Sequence, residues 1–164
     1  MVWSRPVPAG RVLCDRIEEE PMASEEMLQR EEEAWRSFAE AFGSVSPDRR
    51  NAEGVVRGWS THDLVWHCGF WATHAADVME QIRAGKPEPE EPDYAVLEPK
   101  VLSEGRARSW EEAVAHAERG RQRARAAFSG FDDPPPEAVE WFTAEAVEHY
   151  ADHAGQIRQF VASG

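Results

Sequence analysis

Two histidines four residues apart, His149 and His153, stand in the run His149-Tyr150-Ala151-Asp152-His153 near the C-terminal end of the 164-residue chain. On a helix that spacing puts both rings on one face, about one turn from each other. Two imidazoles so placed can reach one metal ion, and the rest of the chain is read by asking where a third ligand comes from. His67 supplies it. It falls inside the apolar stripe Leu64, Cys68, Trp71, Ala75, Val78 and Ile82 of an upstream helical segment. His149 and His153 fall inside the stripe of Val139, Phe142, Ala146, Ile157 and Phe160. Three core-facing positions thus carry imidazole where a bundle would normally put Leu or Val. Burying a polar ring without a partner costs roughly 1–3 kcal/mol, and a cation that takes a lone pair from each ring explains all three at once. A single core-facing histidine has a plainer explanation, a hydrogen bond to a backbone carbonyl, so the case rests on the three together.

Three neutral imidazoles leave a divalent ion its full charge, and three protein ligands leave at least one coordination position open, as in catalytic sites. Zinc and nickel both suit such ligands. A water there could fall to a pKa of ~7, or a thiol could bind as thiolate. Trp71 and His74 follow His67 on nearly the same face and are candidates to line a pocket. Gln156, one turn beyond His153, could hydrogen-bond a ligand, and Glu145 and Asp152 flank the stripe where they could orient ring nitrogens. His62 and His116 are expected at the surface. Cys68 points ~100° away from its neighbour His67 on a helix and is expected to be a buried structural thiol.

The elements that must position these residues are helices. Apolar residues recur at three- and four-residue steps from Ser24 to Phe42, with Glu31, Glu32 and Glu33 among the charged remainder, giving an amphipathic helix of about five turns. Ser60 with Asp63 has the form of a capping box and Trp59 precedes it, so a second helix should run to about Ala84, ahead of Gly85 and Pro87. Ser109 with Glu112 repeats the box, and a third helix should reach about Phe128, with Trp110, Val114, Ala117, Ala124 and Phe128 facing in. The fourth should run from about Glu137 to Ala162. The acidic segment Lys86 to Pro99, with Pro87, Pro89, Pro92 and Pro99, is read as non-helical, a crossover or a cover over the site. Residues 1–22 carry Pro6, Pro8, Gly10 and Pro21 and are expected to form an extended arm outside a single bundle domain, 23–164. No stretch alternates with period two. The expected fold is therefore all-α, an antiparallel four-helix bundle with a long crossover between helices 2 and 3.

Composition narrows the function classes. With 18 Lys and Arg against 31 Asp and Glu, the formal charge is −13, which predicts repulsion of nucleic acid and of anionic membrane surfaces. No apolar run approaches ~18 residues, no signal-peptide pattern opens the chain, and Cys14 and Cys68 make no disulfide framework. The expectation is a cytoplasmic protein with a small-molecule substrate. No Gly-rich phosphate loop, Gly-x-Ser-x-Gly elbow, Cys-x-x-Cys or His-Glu-x-x-His motif occurs.

Two of these stretches resemble a known family. Trp59-Ser60-Thr61-His62-Asp63-Leu64-Val65-Trp66-His67, with Trp71 following, is similar to the second-helix signature of DinB/YfiT-like proteins. His149-Tyr150-x-x-His153-x-x-Gln156-Ile157 is similar to their C-terminal signature. The resemblance covers about Ala23 to Phe160. It implies a four-helix bundle with a long crossover, often a homodimer, and a divalent metal on three histidines, which map onto His67, His149 and His153. The family includes transferases and isomerases that use mycothiol or bacillithiol. The resemblance implies no DNA binding. The acidic proline-rich segment matches no motif. The expected function is activation of a low-molecular-weight thiol, or water, for transfer to a small electrophile. A metal-dependent hydrolase and a non-catalytic metal-binding bundle are the alternatives.

Overall fold

A computed structural model describes residues 24–87, 89–90 and 92–163; the expected arm, 1–22, lies outside the described residues. Helix α1 spans Ser24–Gly43, α2 Thr61–Arg83, α3 Tyr94–Arg106 and α4 Trp110–Ser129. The last helix is built of three continuous pieces: α5, Pro136–Phe142; a π-helical segment, Thr143–Glu148; and α6, His149–Ala162. Among the described residues there is no strand, and no helix is long and apolar enough to cross a membrane. The expected all-α bundle with a long crossover is what forms.

The two capping boxes start α2 and α4 as the sequence predicts. The Ser60 and Ser109 hydroxyls accept from the backbone N–H of Asp63 and Glu112, and each carboxylate accepts from the N–H of its serine. Both satisfy donors that a helix N-terminus otherwise leaves open. Asp63 also accepts two hydrogen bonds from Arg106, each 2.9 Å, which tie the end of α3 to the start of α2. Burial pushes the Asp63 carboxyl up, but Arg106 and the Ser60 N–H and hydroxyl together outweigh it and hold its pKa below the usual value. A depressed folded-state pKa contributes stability above the unfolded pKa of ~3.9 that is lost as pH falls through the folded value. Urea midpoints measured from pH 7 to pH 2 should therefore drop steeply below about pH 4, and Asp63→Asn should remove part of that slope.

The helix directions differ from the expected antiparallel order. Trp66 stacks on His116, Gly69 lies against Ala117, and Asp77 pairs with Arg123, so α2 and α4 run parallel. Trp35 packs on Tyr150, and Arg158 donates to Ser37, so α1 and α6 are parallel as well. The crossover from α2 to α4 is the reason. A connection this long returns the chain to the starting end of the bundle, which a short turn cannot do. Parallel α2 and α4 also approach closely. A Cβ on Gly120 would sit 2.4 Å from the Gly69 carbonyl oxygen, and one on Gly69 would sit 2.8 Å from the Ala117 backbone nitrogen. Backbone cannot swing aside as a side chain can. Gly120→Ala should therefore cost about 3 kcal/mol, the upper end for overpacking, and lower the melting temperature by roughly 6–12 °C.

Within the crossover the structure corrects a second expectation. The segment read as non-helical holds α3, with Asp93 as its cap accepting from the Ala95 N–H, and Pro99 inside it. Proline removes one i→i−4 bond. Here the carbonyl left over is that of Ala95, and Ala95 and Pro99 both lie on the exposed side, so solvent can satisfy it. On α4 the buried positions are Ala113, Ala117, Gly120, Ala124, Ala127 and Phe128, whereas Trp110 and Val114 are half-buried.

Candidate metal centre

His67 comes from the middle of α2, and His149 and His153 from the first turns of α6, which runs antiparallel to α2. The three rings meet in the bundle interior. Their centroids are 4.8 Å apart for His67 and His149, 5.5 Å for His67 and His153, and 4.7 Å for His149 and His153. All three side chains are buried, and one ring nitrogen from each lies within 4.8 Å of the others. Three nitrogens bound to one ion at 2.0–2.1 Å lie about 3.0–3.6 Å apart, so the rings would have to draw together by roughly an ångström to coordinate it. The donor chemistry fits. His67 Nδ1 and His153 Nε2 are buried with no hydrogen-bond partner among the described residues. His67, His149 and His153 could hold a metal ion.

The protonation state suits a ligand. Burial, and then the proximity of His149 and His153, holds the His67 pKa well below the usual imidazole value. Burial and His149 lower that of His153 to about 3, against a small upward pull from Gln156. At neutral pH both rings keep a lone pair for a cation.

The other ring nitrogens are held. His149 Nδ1 lies 2.9 Å from Glu145 Oε2, and His153 Nδ1 lies 2.6 Å from Gln156 Oε1. An acceptor at Nδ1 fixes the proton there and leaves Nε2 to coordinate. The π-helical segment helps deliver Glu145. The His149 N–H donates to the Ala144 carbonyl five residues back, and this wider turn carries Glu145, Ala146 and Val147 all to the interior. Such π turns recur at functional sites. Asp152, by contrast, lies on the exposed side of α6, and the two α6 rings are met by Glu145 and Gln156 instead.

Aromatic rings wall the site. Trp71 lies 6.2 Å from His67 between centroids, and Trp59 lies 4.8 Å from it on the other side. Gly58, at φ 78°, makes the tight turn that delivers Trp59. His74 sits between Trp71 and Trp141, at 5.4 and 5.5 Å, with its pKa lowered by burial against the pull of Glu145 and Asp77. Cys68 is buried, as expected, and burial raises its pKa well above the usual thiol value.

Two histidines expected at the surface are not there. His62 is buried, its Nε2 3.4 Å from the Ser109 carbonyl, because the parallel helix starts bring the two capping boxes together. His116 is half-buried under Trp66, and burial and then Arg119 lower its pKa. The sequence reading also missed Tyr94 and Glu98 on α3. Their four-residue spacing, continued by Val101, was a helical signal, but the prolines around it argued the other way.

The DinB superfamily matches residues 30–157. Two solved structures share the fold. One, of an uncharacterised protein from Escherichia coli UTI89, has a TM-score of 0.72 at 16% identity and covers 87% of this chain and 95% of its own. The other is the colibactin self-resistance protein ClbS in complex with a double-stranded DNA, with a TM-score of 0.71 at 15% identity, covering 85% of this chain and 96% of its own. No curated protein matches the sequence. The DNA in the ClbS complex overturns the expectation that nucleic acid is excluded as a partner. That expectation used net charge, which is a sum over the whole chain. Phosphate contacts are local, because salt screens charges beyond about 10 Å, and an acidic total does not forbid a basic patch.

Proposed function

The chain belongs to the DinB superfamily, and on that footing we propose that it is a divalent-metal-dependent enzyme that activates a low-molecular-weight thiol, or water, for transfer to a small electrophile. The observation that carries this reading is the placement of three buried imidazole nitrogens, from two helices, within 4.8 Å of one another. A divalent cation held there would supply Lewis acidity, lowering the pKa of a coordinated thiol or water towards neutrality.

The chain's own residues do the rest. Glu145 and Gln156 fix the orientation of His149 and His153. Burial keeps His67 and His153 neutral, so that the cation's charge is not spent against charged rings. With three protein ligands, a position is left for the nucleophile. Trp59 and Trp71 flank His67 and keep bulk water from it, which strengthens every electrostatic interaction inside.

The test is elemental analysis of the purified protein, followed by turnover assays of the zinc- and nickel-loaded forms. An electrophile such as a chlorinated aromatic would be supplied with and without bacillithiol or mycothiol. Thiol-dependent turnover is the expected result. Turnover of ester or amide substrates without thiol would instead make the protein a hydrolase. Stoichiometric metal without any turnover would make it a metal-binding bundle, and absence of metal binding would refute the site.

A further inference from the structure

The three histidines that define the centre are closed off from solvent. His67, His149 and His153 are 2%, 0% and 3% exposed, so neither a metal ion nor a substrate reaches the ring nitrogens unless part of the wall moves. The rings packed on that of His67 are those of His149, His153, Trp71 and Trp59. Trp71 is buried within α2 and lies beneath Tyr94 of α3, with ring centroids 5.4 Å apart. Moving it means unpacking a helix. Trp59 differs on both counts. It stands ahead of the Ser60 cap, outside any helix, and it is partly exposed.

The turn that carries Trp59 is a self-contained unit. The Trp59 N–H donates to the Val56 carbonyl at 2.8 Å, and the Trp59 carbonyl accepts from the N–H groups of Gly54 and Val55 at 3.0 and 3.2 Å. Gly54 and Gly58, at φ 122° and 78°, bracket it in backbone conformations that other residues rarely adopt. Arg106 ties the turn to the bundle. From the end of α3 its Nη2 donates to the Gly58 carbonyl at 3.0 Å, while the same guanidinium holds Asp63 by two bonds of 2.9 Å. The side chain that joins α3 to α2 therefore also fastens the residue next to Trp59.

We propose that Trp59 is the gate of the histidine site. The turn 54–59 swings on Gly54 and Gly58, Arg106 is the latch that holds it shut, and metal and substrate enter where the indole now lies against His67. The inference rests on the metal-dependent reading for what passes the gate, and adds the route and the residues that control it. A local opening of this kind breaks few contacts, so it is far more frequent than unfolding of the bundle. The latch is a hydrogen bond from a half-exposed guanidinium, and its loss should raise the open population by about three- to tenfold.

Single-hit carbethoxylation by diethyl pyrocarbonate tests it, run on the metal-free full-length protein and read residue by residue by mass spectrometry, with His116 on α4 as the internal reference. His67 should react slowly in the wild type, about three- to tenfold faster in Arg106→Ala, and at least as fast again in Trp59→Ala, with the rate at His116 unchanged in both. Trp59→Phe keeps a ring in place and should stay near the wild type. Combining Trp59→Ala with Arg106→Ala should add nothing to Trp59→Ala alone, because a latch acts only through the gate it holds. Wild-type rates at His67 in Trp59→Ala or in Arg106→Ala, effects of the two substitutions that multiply, or a parallel acceleration at His116, the mark of a bundle loosened throughout, would each overturn the proposal. Zinc content of the same wild-type preparation reports separately on the histidine site. Zinc binding without any effect of Trp59 or Arg106 would keep the metal reading and remove the gate. Both effects in a protein that takes up no zinc would remove the metal and keep a gate to the buried histidines.

Discussion

Replacing His149 by alanine should lower zinc or nickel affinity by roughly two to three orders of magnitude. Apparent binding energies of about 10–16 kcal/mol for four-ligand zinc sites correspond to roughly 2.5–4 kcal/mol per ligand. His67→Ala and His153→Ala should behave alike, because each removes one of three donors. Glu145→Gln is graded. It keeps an acceptor near His149 Nδ1, 2.9 Å from the present carboxylate oxygen, but removes the charge, so a loss of about 10- to 100-fold is expected. Stability gives a second readout. A ligand at a thousand times its Kd stabilises the folded state by about 4 kcal/mol. Added metal should therefore raise the wild-type melting temperature by roughly 8–16 °C and leave that of His149→Ala nearly unmoved. A melting point that responds equally in both proteins would remove the cation from this site.

The histidine cluster was legible in the sequence because its signal is periodic. His67, His149 and His153 each occupy a position that a 3.6-residue repeat assigns to the core, and two capping boxes fix where α2 and α4 begin. What surrounds the cluster was less legible, for physical reasons that differ from residue to residue. The π turn breaks the repeat that the last helix was read with. Ala138, Trp141, Glu145 and Tyr150 are buried, whereas Val139 and Phe160 of the expected stripe are only half-buried. Helix α3 was hidden by the prolines around it, because the local rule that proline breaks a helix does not know which side of the helix faces water. His62 is buried by a carbonyl of another helix start, and no pattern within α2 foretells that Ser109 will lie beside it. Glu31 is the clearest case. In α1 it reads as one of three consecutive glutamates on a wet face, yet it is fully buried, because its partners lie ninety residues away on α4.

That buried carboxylate carries the second large effect. Glu31 accepts from Arg121 Nε at 2.7 Å and from Arg125, whose guanidinium also donates to the Leu28 carbonyl at 3.0 Å. It is the buried part of an ionic link between α1 and α4 whose exposed part is Glu32, 2.5 Å from Arg121 Nη2. Arg121 additionally lies over the Trp35 ring, 5.1 Å from its centroid. Removing one partner of a buried ion pair typically costs about 3–5 kcal/mol, because the other charge is left without compensation. Arg121 is 17% exposed and Arg125 31% exposed, so both can recover part of their hydration. Glu31→Ala should therefore fall near the lower figure, about 3 kcal/mol, read as a shift of the urea midpoint with an unchanged slope. Glu31→Met combined with Arg121→Leu and Arg125→Leu should recover most of that loss, since apolar residues of similar volume often replace a buried charge network at little cost. If the single substitution proved neutral, the network would be surface electrostatics, and the α1–α4 contact would rest on Trp35 and its aromatic neighbours alone.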